Sequence, residues 1–455
     1  NVHQRRDDIP RSRQAFRDSA RLATERGIPS LAVRAWQNLA RLEWLVRDPA
    51  AAGQALRAAG EGLETLPGDS ERAFLLVAQG DLARRLGSLG EDPQRWWAVA
   101  EAVLTEATEL AESLGDARLQ SHALGLRGAL AEGRGDETAV AAFTDQAVFL
   151  ARQAGAVDLL YQWYWQQGRR HRRLGQRMAA IRSYRQAIQH LETIRRDLLL
   201  TRRDDFRDRI APLFFQQADL LLQEAAASPP ASRQPLLREA RDTLERLKAE
   251  ELTAYFQDPC VLDLQARITP LDRLPAGTAA LYPVLLADRL ALLLSLPGEI
   301  RQFTVPVTRE TLTATARAFR LNLEDRGTRR FLDQARTLHQ WLMAPLLPAL
   351  QAASIHTLVF VPDGPLRNIP LAALHDGERF LVARYAIATT PGIQLTDLRP
   401  MDLDDARLLL GGISEPLPGY ASLPFVAEEL AAVQDILGGR ILLNEAFRTP
   451  TLAAQ

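Results

Sequence analysis

A spacing of 40 residues recurs through the first half of the sequence. Ala40 and Gly80 are separated by this interval, and so are Gly128 and Gly168. Gly80 and Gly128 are 48 residues apart, which indicates eight additional residues near 87–93. Because a unit of this size cannot bury its own apolar face, the repeat predicts helical hairpins that stack on one another and share a core.

The clearest unit alternates small and large side chains at helical spacings. It contains, in order, Tyr164, Gly168, His171, Gly175, Ala180, Tyr184 and Ala187. Small residues allow antiparallel helices to approach closely, and aromatic side chains fill the space opposite them. This order resembles the tetratricopeptide pattern over roughly residues 30–200, with a period nearer 40 than the family's usual value of about 34. A generic helical solenoid remains the alternative.

Four aromatic residues cluster within one unit, at Tyr161, Trp163, Tyr164 and Trp165. Such a cluster is compatible with a ligand cage. Packing between neighbouring hairpins is the interpretation that we favour, because large aromatic side chains dominate the shared core of helical repeats.

An arginine-rich stripe follows these aromatics. Residues 165–210 contain 13 Arg and 5 Asp or Glu, including Arg169, Arg170, Arg172, Arg173 and Arg177. A stripe of this kind is compatible with an acidic partner or an RNA backbone, but no recognised nucleic-acid motif accompanies it. A solvated outer face is the favoured interpretation.

The overall composition is that of a folded protein with more than one structural unit. The chain has 455 residues, of which 47% are hydrophobic and 24% charged, and a formal net charge of -1 provides no field that attracts nucleic acid or anionic membrane.

Its one cysteine, Cys260, excludes an internal disulfide and fits a reducing cytoplasm. No apolar run reaches the roughly 18 residues of a membrane helix. The chain begins with Asn1 and not with methionine, so the sequence is compatible with a missing upstream portion, including a signal peptide.

Two helices are predicted after the repeats, at 212–226 and 235–256, separated by a breaker-rich stretch at 227–232. Leu237, Ala240 and Leu244 keep a helical spacing, so the second helix should bury one side. We expect this pair to close the array and to rest on the next domain.

After residue 257 the pattern changes to short β-rich runs that alternate with helices, which is typical of an α/β layer structure. Strands are predicted at 279–285, 291–296, 301–307, 357–361, 381–388, 407–410 and 440–443. Helices are predicted at 311–323, 329–347, 392–398 and 424–437. The apolar run at 357–361 predicts a strand that is buried on both faces.

Three segments of this second half together resemble the opening signature of CHAT domains. They are LVFVPDGPLRNIPLAALHDG at 358–377, FLVARYA at 380–386 and Pro391-Gly392. The segment LPFVAEEL at 423–430 resembles a later element of the same family. The segment LKAEELTAYFQDPC at 247–260 is also similar to the linker of bacterial members. CHAT domains are caspase-like modules of cysteine proteases that commonly follow tetratricopeptide arrays. The resemblance implies a tetratricopeptide array followed by a caspase-like α/β domain.

In this family the resemblance implies a catalytic His and Cys dyad, in which the histidine helps to form the attacking thiolate. The family carries these residues in His-x-x-His-Gly-like and Ser-Ala-Cys-like stretches, which we expect beyond Leu452. We therefore expect an incomplete CHAT domain and assign no catalytic residue. Cys260 is interpreted as a structural thiol, His339, His356 and His375 as satisfied polar residues, and Asp363 as a turn cap.

No cofactor or metal site is predicted. A Walker loop requires Gly-Lys, and the one lysine, Lys248, falls within a predicted helix. The stretch from Gly411 to Ser414 lacks the final glycine of a nucleophile elbow and the third glycine of a dinucleotide fingerprint. No histidine or carboxylate spacing is typical of a metal site.

The predicted organisation is a helical segment at 1–29, tetratricopeptide-like repeats at 30–210, a closing helix pair at 211–256 and the N-terminal part of a CHAT domain at 257–455. We expect a regulatory part of a CHAT-type cysteine endopeptidase whose repeats bind a protein partner or activator. The alternative is a non-catalytic scaffold. A sheet without its later strands exposes an unpaired edge, so we also expect another polypeptide segment to complete it.

Overall fold

The computed structural model describes residues 8–89, 92–194, 210–256, 274–325, 327–396 and 408–448. By its contacts the chain divides into two compact units, Asn1–Asp397 and Leu398–Gln455.

The first part of the larger unit is helical. Its described helices are α1 (Ile9–Glu25), α2 (Pro29–Leu45), α3 (Pro49–Glu64), α4 (Ser70–Gly87), α5 (Pro93–Ser113), α6 (Ala117–Arg134), α7 (Glu137–Gln153), α8 (Val157–Arg173) and α9 (Arg177–Thr193). Aspartate side chains cap many of the amino ends; Asp116, for example, accepts a hydrogen bond from the Leu119 amide. Gly135 ends α6 in the left-handed conformation, with φ of 75°, which favours glycine.

These helices pack as successive antiparallel hairpins, α2 with α3, α4 with α5, α6 with α7 and α8 with α9, and the first helices of adjacent hairpins also touch. Small residues determine the spacing, as the sequence predicted. A Cβ atom added to Gly125 would lie 2.2 Å from the Trp163 indole, and one added to Gly168 would lie 3.0 Å from the Tyr184 ring. The region is therefore rich in helices that pack as hairpins, which is consistent with the predicted repeats.

Two further helices follow, α10 (Ala211–Ala227) and the longer α11 (Pro230–Phe256). They pack against each other, and Leu237, Ala240 and Leu244 of α11 are buried as predicted. The break between them is shorter than the predicted stretch at 227–232, because α11 already begins at Pro230. Proline is favoured in the first helical turn, where its missing N–H has no intrahelical acceptor.

A five-stranded sheet completes the described part of this unit, in the order β3-β2-β1-β4-β5. Its strands are β1 (Thr278–Leu285), β2 (Leu290–Leu296), β3 (Glu299–Val305), β4 (Thr357–Phe360) and β5 (Ala386–Thr389). β1, β2 and β3 form an antiparallel meander, whereas β1, β4 and β5 run parallel. In the parallel part Leu281 lies opposite Phe360.

The sheet is covered on both faces. Leu281, Leu292 and Phe360 point into a core that is completed by α12 (Arg309–Glu324), α13 (Phe331–Leu342) and α14 (Leu347–Ala352). Tyr282, on the opposite face of β1, contacts α11. Because the sheet is covered on both faces, every residue of β1 and β2 is buried, and both strands are mostly apolar instead of alternating.

Three predicted elements of this unit differ in the structure. The helix predicted at 329–347 breaks after α13 into a 3-10 turn, because Pro345 has no N–H with which to continue the hydrogen-bond ladder. The strand predicted at 381–388 is a 3-10 turn followed by the shorter β5. The helix predicted at 392–398 is a single 3-10 turn, Ile393–Leu395, and residues 397–398 lie outside the described residues.

The smaller unit contains β6 (Leu409–Gly412), α15 (Val426–Leu437) and β7 (Arg440–Leu443), with β6 and β7 paired in parallel. The two glycines of β6 allow close packing. A Cβ atom added to Gly411 would lie 2.2 Å from the Phe447 ring, and one added to Gly412 would lie 2.6 Å from Val426. Their role is therefore packing within a strand-helix-strand unit.

Candidate functional site at the carboxyl ends of the parallel strands

Loops that follow parallel strands gather at one edge of a sheet, and this edge is where α/β proteins commonly bind ligands. In the larger unit the edge is formed by the ends of β1, β4 and β5. Helix α11 runs from β3 to this edge: the Gln234 side chain exchanges hydrogen bonds of 2.9 and 3.0 Å with the backbone of Ile300, and the second half of the helix reaches the loops after β4 and β5.

Glu245 of α11 holds the loop after β5. Its fully buried carboxylate accepts hydrogen bonds from Tyr282 Oη at 2.6 Å, from the Ile393 amide at 3.0 Å and from the Gln394 amide at 3.1 Å. Burial raises the pKa of Glu245, and these three donors oppose that shift by favouring the carboxylate. The carboxylate therefore fixes the backbone of residues 393–394 relative to α11.

Lys248, one helical turn further along α11, holds the loop after β4. Its Nζ donates to Asp363 Oδ1 at 2.8 Å, and 5% of its side chain is exposed. Burial lowers the pKa of Lys248, and the Asp363 carboxylate opposes that shift. A lysine held by a carboxylate in this way positions the turn.

Arg367 extends this ion pair toward the surface. Its guanidinium donates to Asp363 Oδ1 at 2.9 Å and also pairs with Glu251 of α11. Glu251 Oε1 is buried and has no hydrogen-bond partner within the described structure. A cavity of about 370 Å³ lies beside these groups and is also lined by Thr389 and Thr390.

The helical hairpins are connected to the same edge through Asp219 of α10. The Asp219 side chain is 6% exposed and pairs with Arg172 of α8 at 3.2 Å and with Arg289 of the β1-β2 turn. One buried carboxylate thus joins helix α8, helix α10 and the β1-β2 turn of the sheet. Removing it would leave two guanidinium groups without this counter-charge.

Arginines in the described part of the stripe form ion pairs within the fold. The five arginines that the sequence singled out pair with acids of neighbouring helices: Arg169 with Glu132, Arg170 with Glu137, Arg172 with Asp219, Arg173 with Glu132 and Glu137, and Arg177 with Glu224. For these five arginines the balancing carboxylates lie elsewhere in the chain. An acidic or RNA partner for the stripe stays the untested alternative to the solvated outer face that the sequence favours.

The predicted packing role of the aromatic cluster is confirmed. Trp163 is 2% exposed and donates from Nε1 to Ser121 Oγ at 3.2 Å, while Tyr161 and Tyr164 are also buried. Trp165 donates to Gln216 Oε1 at 2.9 Å and thereby contacts α10. These side chains fill the interfaces between helices.

The remaining candidate residues do not converge on a catalytic arrangement within the described residues. His375 Nδ1 accepts a hydrogen bond from the Gly377 amide at 2.9 Å, His356 lies within 3.1 Å of Thr357 Oγ1, and burial lowers the pKa of His339. Cys260 lies outside the described residues. The interpretation of Asp363 as a turn cap was wrong: its side chain makes no capping hydrogen bond and pairs with Lys248 and Arg367 instead.

Comparison with protein families identifies one match. Residues 332–455 match the CHAT domain model. The match begins in α13 and includes β4, β5, β6 and β7 together with the loop that contains Asp363. No curated protein matches the chain significantly. Among the helices of the described residues, none has the length and apolarity needed to cross a bilayer.

The sequence did not predict that Glu245, Lys248 and Glu251 of α11 contact the loops after β4 and β5. Their signal was present, because they interrupt the apolar side of a helix that also carries Leu244 and Leu247. Charged residues on a buried helix face require partners, but the sequence does not reveal which loops provide them.

Proposed function

We propose that this chain is the regulatory and scaffolding portion of a cytoplasmic CHAT-type cysteine endopeptidase. In this proposal the helical hairpins are tetratricopeptide-like repeats that bind a protein partner or activator. The catalytic His and Cys lie in polypeptide beyond Gln455, which also completes the sheet.

One observation carries the proposal. Helix α11, which closes the helical array, fixes two loops of the CHAT-like region through buried charged groups, Lys248 to Asp363 and Glu245 to the 393–394 backbone. A displacement of the hairpins that moves α11 must move these loops too, because separating a buried charge from its partner is costly. The geometry supports a mechanical path from a partner-binding region to a protease-like domain.

The hairpins have a second connection to the same edge through Asp219, which contacts Arg172 in the repeats and Arg289 in the sheet. The contacts of α11 and those of Asp219 connect the helical array to the sheet at two separate places. These two connections favour joint movement of the array and the carboxyl ends of the parallel strands. Partner binding would then be transmitted as a change of loop position.

The alternative is a non-catalytic scaffold. Its support is that the chain has one cysteine, Cys260, which precedes the sheet and lies outside the CHAT match. In this case the α/β region is a docking body for other proteins.

The test begins with the coding sequence downstream of Gln455. The protease proposal requires His-x-x-His-Gly-like and Ser-Ala-Cys-like stretches there, and their absence would refute it. The full translated protein is then treated with a cysteine-directed peptide probe, with substitution of the downstream cysteine by alanine as the control. Labelling that depends on that cysteine supports the protease and refutes the scaffold.

Gating is tested in the same full protein with Lys248→Met and with Arg246→Met, a control on an exposed position of the same helix. We expect Lys248→Met to change the rate of probe labelling at least severalfold, while Arg246→Met leaves it unchanged. Equal labelling of all three proteins would refute the coupling through α11.

A further inference from the structure

A second cavity, of about 620 Å³, lies at the carboxyl ends of β1 and β4. Its walls include Leu286 and Asp288 after β1, Gly364 after β4, and Phe215 of α10. Small-molecule pockets typically occupy about 300–1,000 Å³, so the volume is sufficient for a ligand of ordinary size.

The sheet topology places this cavity at a point where the chain changes direction. From β1 the chain turns to β2 on one side, and from β4 it continues to β5 on the other side. Since β1 and β4 are adjacent and parallel, the loops that follow them diverge and leave a crevice between them. Ligands in open α/β sheets bind in crevices of this kind.

Arg309, the first residue of α12, provides a cationic group in this cavity. Its guanidinium donates to the Leu285 carbonyl and lies 5.8 Å from the centroid of the Phe215 ring. Within the described part of the chain its guanidinium contacts these two neutral groups and pairs with no carboxylate. A guanidinium retains further donors in a planar fork that fits a phosphate or a carboxylate.

The acidic residues that line the cavity are matched by other cations. The pairs are Asp219 with Arg172 and Arg289, Asp288 with Arg289, and Asp363 with Lys248 and Arg367. These acids therefore do not neutralise Arg309, which leaves a local positive charge beside an aromatic face.

We propose that this cavity binds a small organic anion, with its oxyanion on Arg309 and a flat apolar part against Phe215. The inference is independent of the proposed protease function, because it concerns a cavity and a small ligand instead of a peptide bond. Phosphate and carboxylate share the required chemistry, and the experiment below separates them.

The test is isothermal titration calorimetry of the full chain with three probes at low ionic strength. Inorganic phosphate provides an oxyanion alone, AMP a phosphate with a flat base, and benzoate a carboxylate with a flat ring. We expect AMP or benzoate to bind saturably at one site and more tightly than phosphate. Saturation by AMP alone assigns a phosphate ligand, and saturation by benzoate alone assigns a carboxylate.

Variants connect the binding to the cavity. Arg309→Gln should lower the affinity for the bound probe about 10-fold or more, because the substitution removes a charge-assisted hydrogen bond. Phe215→Leu should lower the affinity for the probe with the flat ring or base and leave the affinity for inorganic phosphate unchanged. Arg317→Gln, at an exposed position of the same helix, is the matched control and should bind as the wild type does.

The proposal is overturned if neither flat probe binds saturably, or if Phe215→Leu binds the probe as tightly as the wild type. Phe215→Leu keeps the test decisive even where Arg309→Gln fails to fold. A merely structural contact between Arg309 and Phe215 would lower the stability of both variants by the same amount with and without probe.

Discussion

Lys248 and Asp363 form a buried ion pair across 115 positions of the chain, with Nζ 2.8 Å from Oδ1. The pair joins the last helix of the helical array to the turn that follows β4. Asp363 also belongs to the segment that matches the CHAT domain, so the contact connects two regions that sequence patterns describe separately.

Replacing Lys248 by methionine should lower the free energy of unfolding by about 3 kcal/mol, because Asp363 then remains buried with Arg367 as its remaining cationic partner. Urea denaturation measures the loss. The double variant Lys248→Met/Asp363→Asn should recover part of it, since the uncompensated charge is removed. Strictly additive losses in the double variant would show that the pair has no coupling energy.

Arg246→Met is the matched control for that experiment. Arg246 lies on the same helix, its side chain is 57% exposed, and it pairs with Glu192 at 3.6 Å on the surface. Exposed pairs contribute little, so the change should stay within about 0.5 kcal/mol. A larger loss would indicate that α11 is sensitive to any substitution.

Glu245 should make stability depend on pH. Its pKa in the folded protein is raised above the ordinary value of 4.5 by burial, so its contribution to stability is fully present below pH 4.5 and is lost as pH rises through the folded value. As pH rises from 4.5 through the folded pKa of Glu245, the free energy of unfolding of the wild type should therefore fall relative to that of Glu245→Gln. Urea denaturation at several pH values measures it. A difference that does not vary with pH would contradict the assignment.

Gly125 and Gly133 of α6 should respond to alanine in opposite directions. At Gly125 the new Cβ would meet the Trp163 indole at 2.2 Å, and overpacking of this kind costs about 1–3 kcal/mol. At Gly133 the nearest atom, in Trp97, is 3.8 Å away, so alanine should stabilise the helix by about 0.5–1 kcal/mol. Thermal unfolding of the two variants measures both effects. Equal shifts would show that packing against Trp163 does not determine the hairpin spacing.

Asp219→Asn should loosen the link between the hairpins and the sheet. Two guanidinium groups lose their buried carboxylate, which should cost about 3 kcal/mol and speed amide hydrogen exchange in α10 and in the β1-β2 turn. Asp288→Asn is the control, because the Asp288 side chain is 73% exposed. Exchange that is faster in both variants alike would argue against a specific role for Asp219.

Sequence patterns predicted the helical hairpins and most of the strands because both depend on local spacing. Glycines at a fixed interval indicated close helix contacts, and the apolar run at 357–361 indicated a strand covered on both faces, which became β4. The errors occurred where the local apolar pattern and the tertiary packing favoured different backbone conformations. Residues 381–383 are as apolar as a strand, yet they form a 3-10 turn, and Leu381 reaches the core from there.

The candidate site was less predictable, because its partners are distant in sequence. A lone buried lysine indicates a missing anion without identifying it, and Asp363 looked like an ordinary turn residue. Similarly, composition left an acidic ligand for the arginine-rich stretch at 165–210 as an alternative to the favoured solvated face, and it did not reveal that Arg169 and Arg173 pair with Glu132 and Glu137. Ion pairs between helices are fixed by tertiary packing, which sequence composition does not report.

The order of residues along the chain has a consequence for biosynthesis. Helix α11 leaves the ribosome well before residues 363 and 393–394, so a nascent chain that stops short of them has no acceptor for Lys248 and no amide donors for Glu245. β1 must likewise wait for β4, since Leu281 pairs with Phe360. Translation pauses within residues 257–360 would thus prolong the exposure of apolar strands to chaperones and proteases, whereas the helical hairpins, whose contacts are local, can form as they emerge.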